Sequence, residues 1–339
     1  MSGGTGGEVG GRMRVGVIGA GAMGQAHLAA YAALPDVEVV GIATKTRERG
    51  EALAARFGIG GVYPDAASLL AATRPDGVSI TTHDNDHVGP TTLALDAGAG
   101  VLLEKPIAGD VVGAEAIAAA VRRTGRLLIP GHILRFTLPY QRLKAEIVAG
   151  RIGDIVGISA RRDRTRWVHE RYAHVHPAFL TCVHDIDLAL WVTGSRVVRV
   201  RSMEHRAPGD AQPDIVWAQA ELASGAVAMF ATAYLHPSDV PVPTSDRFEV
   251  YGTGGVATVD LTTPELLIHA SPTTAPDWLI GLGDGTGAML AEVSHFVSCL
   301  RAGTSSPVIG VEDALAGIRV ADAIVRSAAA GGGDILLEA

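Results

Sequence analysis

Lysine is nearly missing from this 339-residue chain: three of its 28 basic residues are lysine, Lys45, Lys105 and Lys144, and the rest are arginine. Cysteine is scarcer still. Cys182 and Cys299 stand far apart, which excludes a disulfide framework and a cysteine-based zinc site and makes a reducing, cytoplasmic setting the default expectation. No apolar run approaches the ~18 residues of a membrane span, and the most alanine-rich stretch, 111–121, is short and contains Glu115. A basic excess is also lacking: the formal net charge is −8, so no electrostatic footprint for nucleic acid or an anionic membrane surface follows. Small-molecule partners are expected instead.

What the chain has is glycine, 42 residues, and a hydrophobic share of 47%, the composition of a globular, loop-rich protein. Its length corresponds to about two domains at roughly 150 residues each. Residues 1–13 carry glycines but no apolar stretch, and read as a flexible tail rather than a signal peptide. From 14 to 130, short apolar runs (RVGVI, VEVVGIA, GVSIT, GVLLE, RLLI) alternate with Ala/Leu-rich helical stretches. That alternation predicts an α/β domain with a doubly wound parallel Rossmann sheet.

From 131 to 339 the texture changes. A helix over 138–153 leads to a strand near 154–165, an Arg- and His-rich loop, and a helix from about 179 to 193. Strand-like runs then follow with little helix between them (VVRVRSMEH, IVWAQAELA, AVAMFATAYL, RFEVYGT, VATVDL, ELLIHA), and helices near 287–302 and 311–329 and a short strand, DILLE, close the chain. The pattern predicts an α+β domain with a large, open, mostly antiparallel sheet. AVAMFATAYL is apolar on both faces, which fits one face under helices and the other against a second subunit.

Gly19-Ala20-Gly21-Ala22-Met23-Gly24 follows the first strand and opens a helix, the context in which G-x-G-x-x-G cradles a dinucleotide pyrophosphate at a helix N-terminus. The next strand ends in Ala43-Thr44-Lys45-Thr46-Arg47, without the Asp or Glu that binds the ribose 2′-OH of NAD. A hydroxyl followed by cations would attract a 2′-phosphate, so NADP(H) is favoured, with NAD(H) left open; the competing reading is a solvated basic pair at a helix start. Glu104-Lys105-Pro106 ends the fifth strand, on the edge where open α/β sheets bind ligands. Buried beside a cofactor, the Lys105 ammonium could hold a substrate hydroxyl or exchange its proton, which arginine cannot do; the alternative is a Glu-Lys ion pair. Lys144, on the exposed-looking face of an amphipathic helix, and Lys45, which needs only charge, carry no comparable message.

In the helix FLTCVHDIDLALW, His184 and Asp187 share a face, with Asp185 turned about 100° away. An imidazole beside a carboxylate is a general acid/base, and the competing reading is a satisfied core histidine. The loop 161–176 gathers Arg161, Arg162, Arg164, Arg166 and Arg171, either to clamp an anionic substrate or as a solvated face or subunit rim. His169, His174 and His176 lie in the same loop without a carboxylate or cysteine framework, and no metal site is assigned.

With these residues in order, the chain resembles the glucose-fructose oxidoreductase / inositol dehydrogenase (Gfo/Idh/MocA) family over nearly its whole length. The segments are VGVIGAGAMGQAH, THDNDH (82–87, a departure from the family's T-P-N-x-x-H), AGAGVLLEKPIA, GHILRFTLPYQRLKAEIVAGRIGDI, VHDIDLALWVTG, FEVYGTGGVATVD and SPVIGVEDALAGIRVADAIVRSA. The resemblance implies hydride transfer between a nicotinamide and the carbinol carbon of a sugar, sugar derivative or cyclitol, with the second domain's sheet forming a homodimer or homotetramer. It implies catalytic roles for Lys105 and His184, with Asp187 beside them. Cofactor contacts are expected from Gly19, Gly21, Ala22, Met23, Gly24, Thr44, Lys45, Arg47, Thr82, His87, Glu104 and Lys105. Substrate contacts are expected from Lys105, His132, Arg135, Arg166, Leu180, Thr181 and His184. Many family members carry Asp where this chain has Leu180, so Asp187 or Asp185 is the expected substitute. The rival functions are glycoside cleavage by transient oxidation and a non-enzymatic NADP sensor.

Overall fold

Each apolar run of the first third becomes a parallel strand. In the computed structural model, which describes residues 11–239, 245–262, 280–281 and 285–338, these are β1 (Met13–Ile18), β2 (Val37–Ala43), β4 (Gly77–Ile80), β5 (Gly100–Glu104) and β6 (Leu128–Gly131). β4 and β5 are buried at every position, as befits strands covered on both faces. A two-residue edge strand, β3 (Val62–Tyr63), completes the order β3-β2-β1-β4-β5-β6. The helices between are α1 (Ala22–Ala32), α2 (Arg47–Phe57), α3 (Ala66–Thr73), α4 (Val88–Asp96) and α5 (Val111–Thr124). Asp65 and Asp110 cap α3 and α5, each accepting a backbone N–H at 2.7 Å.

The second sheet runs β12-β11-β7-β10-β9-β8-β13, with only β7 and β10 paired in parallel. Its strands are β7 (Ile155–Asp163), β8 (Val197–His205), β9 (Ile215–Leu222), β10 (Val227–Ala233), β11 (Ser245–Gly252), β12 (Gly255–Asp260) and β13 (Ile335–Leu336). Its helices are α6 (Leu138–Val148), α7 (Arg166–Arg171), α8 (Val183–Thr193), α9 (Gly287–Ala302) and α10 (Val311–Ala329). The strand expected at 265–270 and most of the N-terminal tail lie outside the described residues. Among the described residues no helix is long and apolar enough to cross a membrane.

One face of this sheet is covered: α10 packs on β8 and also reaches α5 and α8. The other is open. β10 turns Ala228 and Phe230 inward but Val227 and Met229 outward, where Trp217 and Met203 of the neighbouring strands are also exposed. The sequence division at 130/131 is crossed by α9, whose Met289, Val293, Phe296 and Val297 join Val15, Val17, Leu28, Tyr31 and Leu102 in the core of the first domain. The chain thus returns to the first domain's core, and the residue after β5, Lys105, reaches across to Leu180 of the second domain.

Candidate active site

At the first strand–helix turn, Gly19 adopts φ +113°, and its carbonyl accepts a hydrogen bond from Thr81 Oγ1 at 3.0 Å. A Cβ on Gly24 would lie 2.1 Å from that carbonyl oxygen, so helix and turn pack closely only because Gly24 lacks one. At Gly21, the N-cap of α1, a Cβ would meet nothing within 4 Å, and no side chain caps the helix. The free amides and positive dipole end of α1 therefore face a cleft of about 1040 Å³, lined here by Gly19, Gly21, Ala22 and Met23. This cradle fits a dinucleotide pyrophosphate.

The cleft continues past the end of β2 along Thr44, Lys45, Thr46 and Arg49. The expected contact from Arg47 is corrected: its side chain turns outward to Glu51 at 2.7 Å, one helical turn on, and Arg49 faces the cleft instead. Lys45 Nζ meets Asp86 Oδ2 at 2.9 Å across the cleft, but both groups are exposed and such a pair binds weakly. Thr82, His83, Asp84 and His87 form the opposite wall. His87 Nδ1 lies 2.9 Å from Pro106 O and Nε2 3.2 Å from Thr82 O. Burial lowers its pKa, and the ring sits between the loops after β4 and β5.

Lys105 and His184 meet on the floor of the same cleft. Lys105 follows β5, and its Nζ donates to Leu180 O at 3.1 Å, across the domain junction. Leu180 belongs to a π-turn, Ala178–Cys182, that precedes α8. The Leu180 side chain is apolar, and the group that meets Lys105 is its main-chain carbonyl. Burial pulls the Lys105 pKa down to about 8, with Arg164 and Arg162 adding to the effect and Glu104 opposing it. Burial, then the charges of Lys105 and Arg162, hold His184 well below the usual imidazole value, so it is neutral at pH 7. Its buried Nδ1 has no hydrogen-bond partner among the described residues.

Several expected site residues are committed elsewhere. Asp187 does not support His184: its oxygens accept from Arg135 Nη2 at 2.8 Å and Nε at 2.9 Å, with both side chains buried. Arg135 also donates to Val308 O at 2.7 Å, so it braces the floor and is withdrawn as a substrate contact. His132, 3.5 Å from the same carboxylate, is buried beneath the cleft. Asp185, the other expected substitute, is taken by Arg162 at 2.9 Å. Arg166 pairs with Asp210 at 2.6 Å and does not line the cleft. Thr181 is buried and hydrogen-bonded to the Tyr234 hydroxyl, whereas Leu180 lines the cleft.

The arginine loop is thus largely a structural network. Arg161 meets Asp163, and Arg162 and Arg164 share Asp246, each at 2.6 Å. Only Arg171 of the five lines the cleft, beside Tyr172 and Val175. The loop histidines diverge: His169 faces Pro213 O, His174 faces Asp84 and His176 faces Glu204. Pattern reading missed Arg49, the Tyr172 and Val175 wall, and the buried Glu292. Arg49 sits two residues beyond the basic pair that was noticed, so a helical projection of 46–50 would have found it.

Comparison with known proteins agrees with this architecture. Residues 13–132 match the family description "Oxidoreductase family, NAD-binding Rossmann fold", and residues 140–258 match "GFO/IDH/MocA C-terminal domain". The chain is 29% identical over 195 residues to the D-glucoside 3-dehydrogenase of Escherichia coli (strain K12), a match covering 55% of this chain and 56% of that protein. The match thus spans little more than half of that relative's length. A longer match, 29% over 325 residues, reaches the UDP-N-acetylglucosamine 3-dehydrogenase of Acidithiobacillus ferrooxidans, covering 93% of this chain and 96% of that one. In fold, the structure superposes on scyllo-inositol dehydrogenase from Lactobacillus casei with bound NAD(H) and scyllo-inositol, at a TM-score of 0.84 and 19% identity, covering 96% and 99% of the two chains.

Proposed function

The chain belongs to the Gfo/Idh/MocA family of oxidoreductases, and we propose that it moves a hydride between a nicotinamide cofactor and the carbinol or keto carbon of a sugar, sugar derivative or cyclitol. The observation that carries this reading is the meeting of Lys105 Nζ with the Leu180–His184 segment in the same cleft as the Gly19–Gly24 turn. The α1 amides and Gly21 would hold the pyrophosphate, and Thr44, Lys45 and Arg49 the adenosine ribose. With no carboxylate at the end of β2 and two cations there, NADP(H) is the preferred cofactor. When bound, the nicotinamide supplies the hydride acceptor in oxidation and the donor in reduction.

Lys105 is the proton-carrying residue. Sequence reasoning gave the proton to His184, but an imidazole held this far below its usual pKa is a weak base, while an amine near 8 lies close to the working pH. In oxidation the neutral amine takes the hydroxyl proton. In reduction the ammonium delivers it to the developing alkoxide. His184, neutral and lining the same cleft, orients the hydroxyl. The open sheet face, with Trp217 and Met229 exposed on it, supports a homodimer or homotetramer assembled there.

The test is turnover of a sugar, cyclitol and nucleotide-sugar panel with NADP+ and NAD+, followed at the reduced-nicotinamide absorbance. Net reduction of cofactor that is lost in Lys105→Met, with cofactor affinity retained, is the expected result. Glycoside cleavage without net redox, or saturable cofactor binding without turnover on any compound, would overturn it.

A further inference from the structure

Between β5, α1 and α9 three ionisable side chains meet out of water. His27, Glu104 and Glu292 are buried, and one ligand-type atom of each lies within 4.8 Å of the others. Two of the three are accounted for. His27 Nε2 faces Glu104 Oε1 at 3.0 Å and its Nδ1 faces Ser79 Oγ at 2.9 Å, which the Tyr31 hydroxyl also reaches at 2.7 Å. Glu104 Oε2 accepts the Lys105 backbone N–H at 3.2 Å. Glu292, at 0% exposure, is the exception: neither carboxyl oxygen has a hydrogen-bond partner among the described residues.

An ionised carboxylate cannot persist in such a place without a cation or donors, and two carboxylates sharing a dry site do not both ionise. Among the described residues no fixed cation serves Glu292. From α1 it faces His27 and Tyr31, and from β5 it faces Glu104. The turn 133–136, which packs on α9, carries one ionisable group, Arg135, committed to Asp187. On α9 itself, His295 is bonded to Ser306.

We propose that Glu292 carries a proton and stands neutral beside the Glu104 carboxylate, making it a positioning residue that leaves Glu104 the single fixed negative charge behind Lys105. Burial, reinforced by the charge of Glu104, pushes Glu292 well above the usual carboxyl range. The consequence for Lys105 rests on the reading of that lysine as the proton carrier. Glu104 is the largest charge opposing the drop in the Lys105 pKa, so a second negative charge beside it would push the lysine up and thin the supply of neutral amine.

Two substitutions and two activity-independent readouts test this on the full-length protein. Glu292→Leu, of similar bulk and without charge, is expected to leave the pH limb where it was, with cofactor affinity unchanged. Glu292→Gln, neutral and nearly isosteric, is expected to keep kcat within about threefold of the wild type and leave the pH limb where it was. Glu104→Gln, which removes the charge itself, is expected to move that limb to lower pH. Infrared difference spectra should show a protonated carboxylic acid C=O band in the wild type that disappears in Glu292→Gln. A Glu292→Gln limb displaced like that of Glu104→Gln, or no such band, would overturn the proposal. So would a stoichiometric divalent metal in the purified protein, since a metal would then be the neutralising cation. If Lys105 proves not to be the proton carrier, no limb will appear, and the infrared band and metal content still decide the state of Glu292.

Discussion

Oxidation by this enzyme should switch on with rising pH along a limb near 8 that belongs to Lys105. Burial disfavours the ammonium, so the lysine titrates at about 8 rather than 10.5. At pH 7 about one lysine in eleven is then neutral, against about one in three thousand for an ordinary side chain, a gain of roughly 300-fold in available base. The sign follows from the form each direction needs. Oxidation uses the neutral amine, so kcat/KM climbs as pH rises and levels off above about 8. Reduction uses the ammonium, so its rate is full below about 8 and falls above it. The assay is initial-rate kcat/KM in both directions from about pH 6 to 10 at saturating cofactor. Lys105→Arg keeps the charge but cannot shed its proton, and should lose about 10²- to 10⁴-fold in oxidation with no recovery at high pH. A limb near 8 that survives in Lys105→Arg, or rates independent of pH in both directions, would refute the assignment.

Three further outcomes follow from the same geometry. Asp187→Ala strands the buried Arg135 guanidinium and should cost about 3–5 kcal/mol in denaturant unfolding; full stability with turnover abolished would return Asp187 to the chemistry. Replacing Lys45 and Arg49 together by alanine should raise the Kd for NADP(H) about 10- to 100-fold and that for NAD(H) less than about threefold by titration calorimetry. Equal losses for the two cofactors would show that these cations do not read a 2′-phosphate. Trp217→Glu puts a charge on the open sheet face, where the side chain is 56% exposed, so the monomer should fold and sediment alone. Assembly unchanged by that substitution would place the subunit contact elsewhere.

The strands of the first domain were legible because a parallel strand under two helical layers has no polar face to interrupt it: β4 and β5 are apolar runs and buried throughout. β3 was missed because two residues at an edge make no pattern. Lys105 stood out in the sequence because its type is rare in this chain and its position, after a central strand, is where such sheets bind ligands. The misread residues share a different cause. His184 and Asp187 do project from adjacent turns of α8, but the partner of Asp187 is Arg135, 52 residues away, and that of Asp185 is Arg162, 23 residues away. Lys144, read as having no particular task, donates to Trp191 O at 2.7 Å and caps the carboxyl end of α8 from 47 residues upstream.

A local window reports which face a charge occupies, and says nothing of which opposite charge the fold brings to that face. Arginine amplifies the difficulty in this chain. With guanidinium groups standing at most basic positions, buried carboxylates find bidentate partners, and a carboxylate near the active site is by default a brace. Glu292 departs from that pattern by remaining unpaired. Among the described residues its neighbourhood holds no arginine free to pair it, and that is why a proton rather than an ion pair must settle its charge.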